Sequence, residues 1–83
     1  MFETNEYGKY WKNSKGQRHR EDGPAVEYSN GTRYWYKDGK RHREDGPAVV
    51  SSDGSYFYYL EDKEYSEEAY WEEIEKRRAN KEK

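Results

Sequence analysis

The chain has 83 residues, no cysteine and a formal net charge of −2. This length predicts one domain, and the absence of cysteine excludes a disulfide framework, a thiolate metal site and a cysteine nucleophile. Tyr and Trp contribute 10 and 3 residues, whereas Leu, Ile, Val and Phe are scarce. We therefore expect a folded chain with an aromatic core, and formation of a homo-oligomer through an aromatic face is a reasonable expectation.

Charge balance and hydropathy limit the partners and the location of the chain. The slight excess of acidic residues argues against general nucleic-acid binding. No apolar run is long enough for a membrane span, and the first six residues lack the charged and apolar regions of a signal peptide. The sequence therefore predicts a cytoplasmic protein that binds no membrane.

An eight-residue sequence occurs twice, with a spacing of 23 residues. The first octapeptide is His19–Val26 and the second octapeptide is His42–Val49. The same spacing aligns Asn30-Gly31 with Asp53-Gly54, and a decayed third copy ends at Tyr65, where a third histidine would stand. A fixed period of this size predicts one small supersecondary unit stacked on copies of itself.

The period divides the chain into segments with different predicted structures. Turn signals predict an antiparallel β-meander of about eight short strands. Asn30-Gly31 predicts a type I′ hairpin turn, because both central positions of that turn need positive φ. Asp38-Gly39 predicts the next turn, and its counterpart in the first copy carries one extra residue. The segments are a lead-in (1–6), repeat 1 (7–29), repeat 2 (30–52), a partial repeat 3 (53–65), a capping helix (66–79) and a frayed tail (80–83).

Both faces of the predicted sheet carry aromatic residues. Alternation along the strand assigns Tyr34 and Tyr36 to one face and Trp35 to the other. In the third copy, Phe57 and Tyr59 alternate with further tyrosines in the same way. We expect one face to be covered and the other to be free to bind.

A helix is predicted over residues 66–79. Ser66 suits the N-cap position, glutamates follow it at the positive end of the helix dipole, and Tyr65 can pack against Tyr70 across the cap. Terminal units of repeat proteins close the last open edge, so we expect this helix to cap the sheet. Residues 80–83 are expected to fray.

The repeated motif resembles that of a known group of proteins. The order Tyr34-Trp35-Tyr36, Asp38-Gly39-Lys40, His42 and Gly46 resembles the MORN repeat, and the octapeptide is more similar to short hairpin-repeat proteins of tailed bacteriophages and large DNA viruses. The resemblance covers residues 7–65. It implies a mostly β fold, a single-layer meander of MORN-like hairpin repeats used as a binding scaffold without a shared enzymatic activity. By analogy, it implies a small phage accessory or counter-defence protein.

Each repeated histidine precedes a glutamate by two positions, as His19 precedes Glu21 and His42 precedes Glu44. Such pairs suit acid–base chemistry or metal binding, but a metal site needs three or four convergent ligands. A catalytic site is rarely duplicated intact, whereas a structural motif in a repeat must be. We therefore interpret both histidines as structural and expect no catalytic residue, metal or cofactor.

Arginine and tryptophan side chains form the first candidate site, a stripe suited to phosphate contacts and base stacking. We favour the alternative that each arginine pairs with acidic residues of its own or the neighbouring unit. A small anionic nucleotide held by two repeats or two subunits is the remaining interpretation. The candidate ligand-binding residues are Trp11, Arg18, Arg20, Trp35, Arg41 and Arg43.

An acidic block over residues 61–75 that contains aromatic residues forms the second candidate site. We favour its interpretation as a solvated helix face. The alternative is a surface that competes for a nucleic-acid-binding host protein by imitating phosphate charge. Aromatic side chains within it suit a protein interface. The candidate interface residues are Glu68, Tyr70, Trp71, Glu72 and Glu75 of this block, together with Tyr56 and Tyr58 of the preceding strand.

Three functional hypotheses follow from these features. The first is a non-enzymatic repeat-based binding protein, encoded by a phage, that contacts a host protein through the aromatic sheet face, the acidic helix or both. Inhibition of a host defence factor is its most concrete form. The second is a sponge that sequesters a small nucleotide signal. The third is an antitoxin-like partner of a toxin.

Overall fold

Short antiparallel strands and one C-terminal helix account for the regular structure of the chain. A computed structural model describes residues 2–81. Seven strands form a sheet in the order β1-β2-β3-β4-β7-β8-β9, and β5 and β6 form a separate two-stranded sheet. The elements are β1 Phe2–Asn5, β2 Gly8–Trp11, β3 Val26–Tyr28, β4 Arg33–Tyr34, β5 Tyr36–Lys37, β6 Lys40–Arg41, β7 Val49–Val50, β8 Tyr56–Leu60, β9 Lys63–Tyr65 and α1 Glu67–Lys81.

The chain leaves the large sheet at Trp11 and Trp35. The backbone N–H of Trp35 donates to Ala48, which directly precedes β7 of the large sheet, at 2.7 Å, whereas its carbonyl accepts from His42, which directly follows β6 of the small sheet, at 3.0 Å. Trp11 makes the equivalent bonds to Ala25 and His19 at 2.8 and 3.0 Å. Because both residues change partner in this way, residues 2–81 contain nine strands in two sheets rather than about eight strands in a single sheet.

The hairpin at Asn30-Gly31 differs from the predicted type I′ turn. Gly31 has positive φ (97°), but Asn30 does not. The N–H of Gly31 donates to Tyr28 at 3.0 Å, and the N–H of Tyr28 donates to Thr32 at 2.8 Å. This is a three-residue loop that ends in a left-handed glycine, a geometry that also matches the twist of the flanking strands. The type I′ prediction was therefore wrong at this position.

Two other turns agree more closely with the sequence. At Asp38-Gly39 both residues have positive φ (50° and 83°), and Lys37 pairs directly with Lys40. The corresponding turn of the first copy is longer, since the N–H of Asn13 donates to Gln17 at 2.8 Å across three residues. The one-residue difference is the extra turn residue that the spacing predicts.

The helix α1 packs on one face of the last strands. Tyr58, Leu60, Tyr70 and Ile74 form a buried cluster, and Tyr65 packs against it. The N-cap prediction is confirmed, because the N–H of Ala69 donates to the Ser66 hydroxyl at 3.2 Å. Tyr58, which α1 covers, and Phe57 are neighbours in β8, so their side chains lie on opposite faces of the sheet. Phe57 pairs with Val49, and Val49 pairs with Tyr34, so these three residues lie on the face that α1 does not cover.

Both ends of the chain differ slightly from the predicted segments. Most of the predicted lead-in forms β1, which pairs with β2. The helix continues past the predicted end at Ala79 to Lys81, and Glu82 and Lys83 of the predicted frayed tail lie outside the described residues. Within residues 2–81, α1 is too short and too polar to cross a membrane.

Candidate functional site

An aromatic surface lies on the sheet face that α1 leaves open. The register joins Tyr10 to Val26, Val26 to Tyr34, Tyr34 to Val49, and Val49 to Phe57, so the side chains of these residues share one face. Both valines are buried between the rings. We define the tyrosine face as the exposed or half-buried aromatics Tyr10, Tyr28, Tyr34, Tyr36, Phe57 and Tyr59.

Four of the six rings of the tyrosine face contact one another in sequence. The ring of Tyr28 meets those of Tyr10 and Tyr34 edge to face, with centroids 6.1 and 5.9 Å apart. Tyr34 and Tyr36 are stacked at 6.1 Å. Such contacts hold these four rings in defined positions, so this part of the face presents a preformed aromatic surface.

Two of the predicted ligand-binding arginines border this face rather than a tryptophan stripe. The guanidinium of Arg41 lies 4.2 Å from the ring centroid of Tyr59, and that of Arg18 lies 5.8 Å from Tyr36. Arg41 Nε also donates to Asp62 at 2.8 Å. This hydrogen bond lowers the pKa of the Asp62 carboxyl and raises the pKa of Arg41.

The other two arginines lie on the tryptophans in identical arrangements. Arg20 lies 3.9 Å from the ring centroid of Trp11, donates through Nε to Asp22 at 3.1 Å and through Nη1 to the Pro24 carbonyl at 3.2 Å. Arg43 makes the same set of contacts with Trp35, Asp45 and Pro47, at 3.9, 2.8 and 3.0 Å. The predicted pairing of these arginines with acidic residues of their own copy is thus present.

The repeated histidines bridge successive hairpins. The backbone N–H of Asp38 donates to Nδ1 of His19 at 2.9 Å, and that of Glu61 donates to Nδ1 of His42 at 3.0 Å. A nitrogen that accepts a hydrogen bond carries no proton, so the proton lies on Nε2, which contacts the glutamate two residues on at 3.0 and 2.8 Å. Both rings therefore connect backbone segments and have a structural role.

A cleft of about 710 Å³ separates the two octapeptides. Residues 20–24 form one wall, residues 42–45 form the other, and Trp35 and Lys37 lie between them. The cleft brings together Arg20, Trp35 and Arg43 of the predicted ligand-binding set, but Trp11, Arg18 and Arg41 do not line it.

The predicted protein-interface residues divide into a buried and an exposed group. Tyr58 and Tyr70 have exposed fractions of only 7% and 0%, because they form the contact between sheet and helix, so they offer no surface to a partner. Burial also raises the pKa of the Tyr70 phenol. The exposed members are Tyr56, Glu68, Trp71, Glu72 and Glu75, of which the last four fall on one stripe of α1.

The predicted set of interface residues did not include the tyrosine face. The alternation of Tyr34, Trp35 and Tyr36 separates the two faces, but it does not show which of them the helix covers. The register across five strands and the packing of α1 supply that information.

Comparison with family models, with curated proteins and with solved structures finds no match for this chain. Among residues 2–81, no three histidine or acidic side chains come together in a way that could hold a metal ion. The features that bear on function are therefore the tyrosine face, the cleft and the acidic stripe of α1.

Proposed function

We propose that this chain is a non-enzymatic protein-binding protein that contacts its partner through the tyrosine face. The observation that carries the proposal is a row of mutually ordered rings on a sheet face that α1 does not cover. Tyrosine and arginine are enriched among the residues that dominate binding energy in protein interfaces, and Arg18 and Arg41 border the rings. Their ordered positions reduce the entropy lost when a partner binds.

We further propose that the chain is built from MORN-like hairpin repeats with a period of 23 residues. Equivalent contacts at that spacing support this proposal: the histidine bridges, the arginine–tryptophan pairs and the backbone bonds of both tryptophans. On the resemblance to phage hairpin-repeat proteins, the partner is a host protein, and the most concrete role is inhibition of a host defence factor. An antitoxin-like role would use the same face.

Sequestration of a small nucleotide is less well supported. Arg20 and Arg43 already use Nε and Nη1 in hydrogen bonds and one guanidinium face against a tryptophan. A phosphate would have to compete with Asp22 and Asp45 for both side chains, and their carboxylates repel an anion.

Neighbouring residues on opposite faces of β8 allow a matched test. Phe57 lies on the tyrosine face and Tyr56 on the other, and their exposed fractions are 40% and 52%. Phe57→Lys places a charge in the proposed interface, whereas Tyr56→Lys places the same charge outside it. Affinity capture from a bacterial host lysate, followed by titration of the captured protein, compares both variants with the unchanged chain, after circular dichroism has shown that all three fold.

We expect Phe57→Lys to weaken binding by about tenfold or more, because a charge would be desolvated in an aromatic interface, and Tyr56→Lys to leave it unchanged. Loss of binding in Tyr56→Lys alone would assign the interface to the α1 side, near Trp71. If binding survives in both variants, the proposed interface is wrong.

A further inference from the structure

The second octapeptide holds a tyrosine of α1 through two backbone groups. The Tyr70 hydroxyl donates to the carbonyl of Arg43 and accepts from the N–H of Gly46, the latter at 3.3 Å. The ring lies 4.6 Å from that of Tyr58. This loop therefore forms a receptor for a phenol, with one acceptor and one donor supplied by the backbone.

The first octapeptide has the same sequence and the same internal contacts, but its corresponding groups are free. Arg20 and Gly23 are the equivalents of Arg43 and Gly46 at the spacing of 23 residues. Within residues 2–81, the carbonyl of Arg20 and the N–H of Gly23 have no hydrogen-bond partner. Gly46 is buried beneath α1, whereas Gly23 is half-buried and lines the cleft.

The cleft has the size and the charge to receive a side chain from another protein. Its volume of about 710 Å³ lies in the range of ligand sites, roughly 300–1,000 Å³. Four acidic and three basic side chains line it, namely Glu21, Asp22, Glu44 and Asp45 against Arg20, Lys37 and Arg43. Asp22 and Asp45 pair with Arg20 and Arg43, but the side chains of Glu21, Asp22 and Asp45 keep exposed fractions of 74%, 86% and 81%. The small acidic excess favours a basic partner.

The helix α1 also suggests the form of that partner, a helix that carries a basic residue on the same face as its tyrosine. Arg77 lies seven residues after Tyr70, which places it two turns along the same face. Its pKa is raised by Glu73 and, to a smaller extent, by Glu61 and by Glu44 of the second octapeptide.

We propose that the cleft between the octapeptides binds a tyrosine on a basic helix of a partner protein, with its hydroxyl donating to the Arg20 carbonyl and accepting from the Gly23 N–H. The proposal rests on the protein-binding function above and specifies a second contact with the partner. The cleft is a separate surface from the tyrosine face, since none of the residues of that face line it.

A peptide derived from α1 provides the probe. It has the sequence of residues 66–80 with Glu68→Lys, Glu72→Lys and Glu75→Lys, three changes on the exposed stripe that make the peptide basic. A control peptide carries Tyr70→Phe in addition and has the same charge. The full chain, labelled with ¹⁵N, is titrated with each peptide, and the amide signals of Gly23 and Gly46 are followed by NMR.

We expect saturable movement of the Gly23 signal with little change at Gly46, and about fivefold or greater weakening with the Phe peptide, the factor that one hydrogen bond supplies. Glu21→Gln in the full chain should also weaken binding, because it removes a rim charge but keeps an oxygen for His19, whereas Glu64→Gln should not.

Three results would overturn the inference: no change at Gly23, equal affinity of the Tyr and Phe peptides, or movement of Gly46 to the same extent, which would show that the peptide replaces α1. These results leave the tyrosine face untested, because the lysine substitutions at Phe57 and Tyr56 examine that face separately. If a partner is still captured from the lysate but the Gly23 amide signal does not move, only the proposed contact in the cleft is rejected.

Discussion

Replacing Tyr70 by phenylalanine should destabilise the chain, because its hydroxyl is the hydrogen-bond partner of two groups of the second octapeptide. Phenylalanine keeps the ring in the cluster with Tyr58 but leaves the Gly46 N–H and the Arg43 carbonyl without their partner. Leaving such groups unsatisfied costs about 1–3 kcal/mol. A cost of about 2 kcal/mol is a large part of the roughly 4–12 kcal/mol expected for a chain of this length.

The assay is thermal unfolding followed by circular dichroism, in which about 2 kcal/mol corresponds to a decrease in Tm of roughly 8–16 °C for a domain of this size. Tyr56→Phe is the matched control, since Tyr56 is exposed, and it should change Tm little. A decrease for Tyr70→Phe no larger than that of the control would refute the view that this hydroxyl holds the helix to the loop.

The decrease in the free energy of unfolding at alkaline pH tests the same residue. Burial raises the pKa of Tyr70 above its ordinary value of 10.0, so the folded chain holds the phenol proton more tightly than the unfolded chain does. This contribution is fully present below pH 10 and is lost as the pH rises above it. Tyr70→Phe should therefore weaken the loss of stability in this range, and Tyr56→Phe should not.

Two further changes test other parts of the fold. Asp62→Asn should flatten the acid limb of the stability profile: the hydrogen bond from Arg41 lowers the pKa of Asp62 below 3.8, so its contribution is present above about pH 4 and is lost as the pH falls further. Urea unfolding between pH 2 and pH 7 measures the free energy of unfolding over this range, and at neutral pH the substitution should lower it by less than about 1 kcal/mol. Superimposable profiles for both proteins would contradict the prediction. Gly8→Ala should destabilise by more than about 2 kcal/mol, because the new Cβ would overlap the backbone oxygen of Glu27 and lie 2.9 Å from the Cα of Tyr28. Gly16→Ala, whose Cβ has no neighbour within 4 Å, should cost only the strain of its positive φ. Equal melting temperatures for Gly8→Ala and Gly16→Ala would therefore be inconsistent with the close strand contact at Gly8.

Local signals predicted the positions of the hairpins and the start of the helix. Asp38-Gly39 forms the turn expected of it because both residues tolerate positive φ, and Ser66 caps α1 because its hydroxyl reaches a nearby N–H. Each of these signals depends on residues that are close in the chain. The turn type at Asn30 was wrong, because the same dipeptide also fits a three-residue loop and the strand pairing selects between the two.

The sequence by itself determined the mostly antiparallel β-structure, the alternation of the aromatics and the position of the helix, since these follow from periodicity and from short-range chemistry. Only the tertiary structure decided which face α1 covers, and with it the burial of Tyr58 and Tyr70 and the exposure of the tyrosine face. The same holds for the difference between the two octapeptides, which have identical sequences but different surroundings. Tyr70 reaches Arg43 across 27 residues of chain, and no local pattern specifies a contact at that distance.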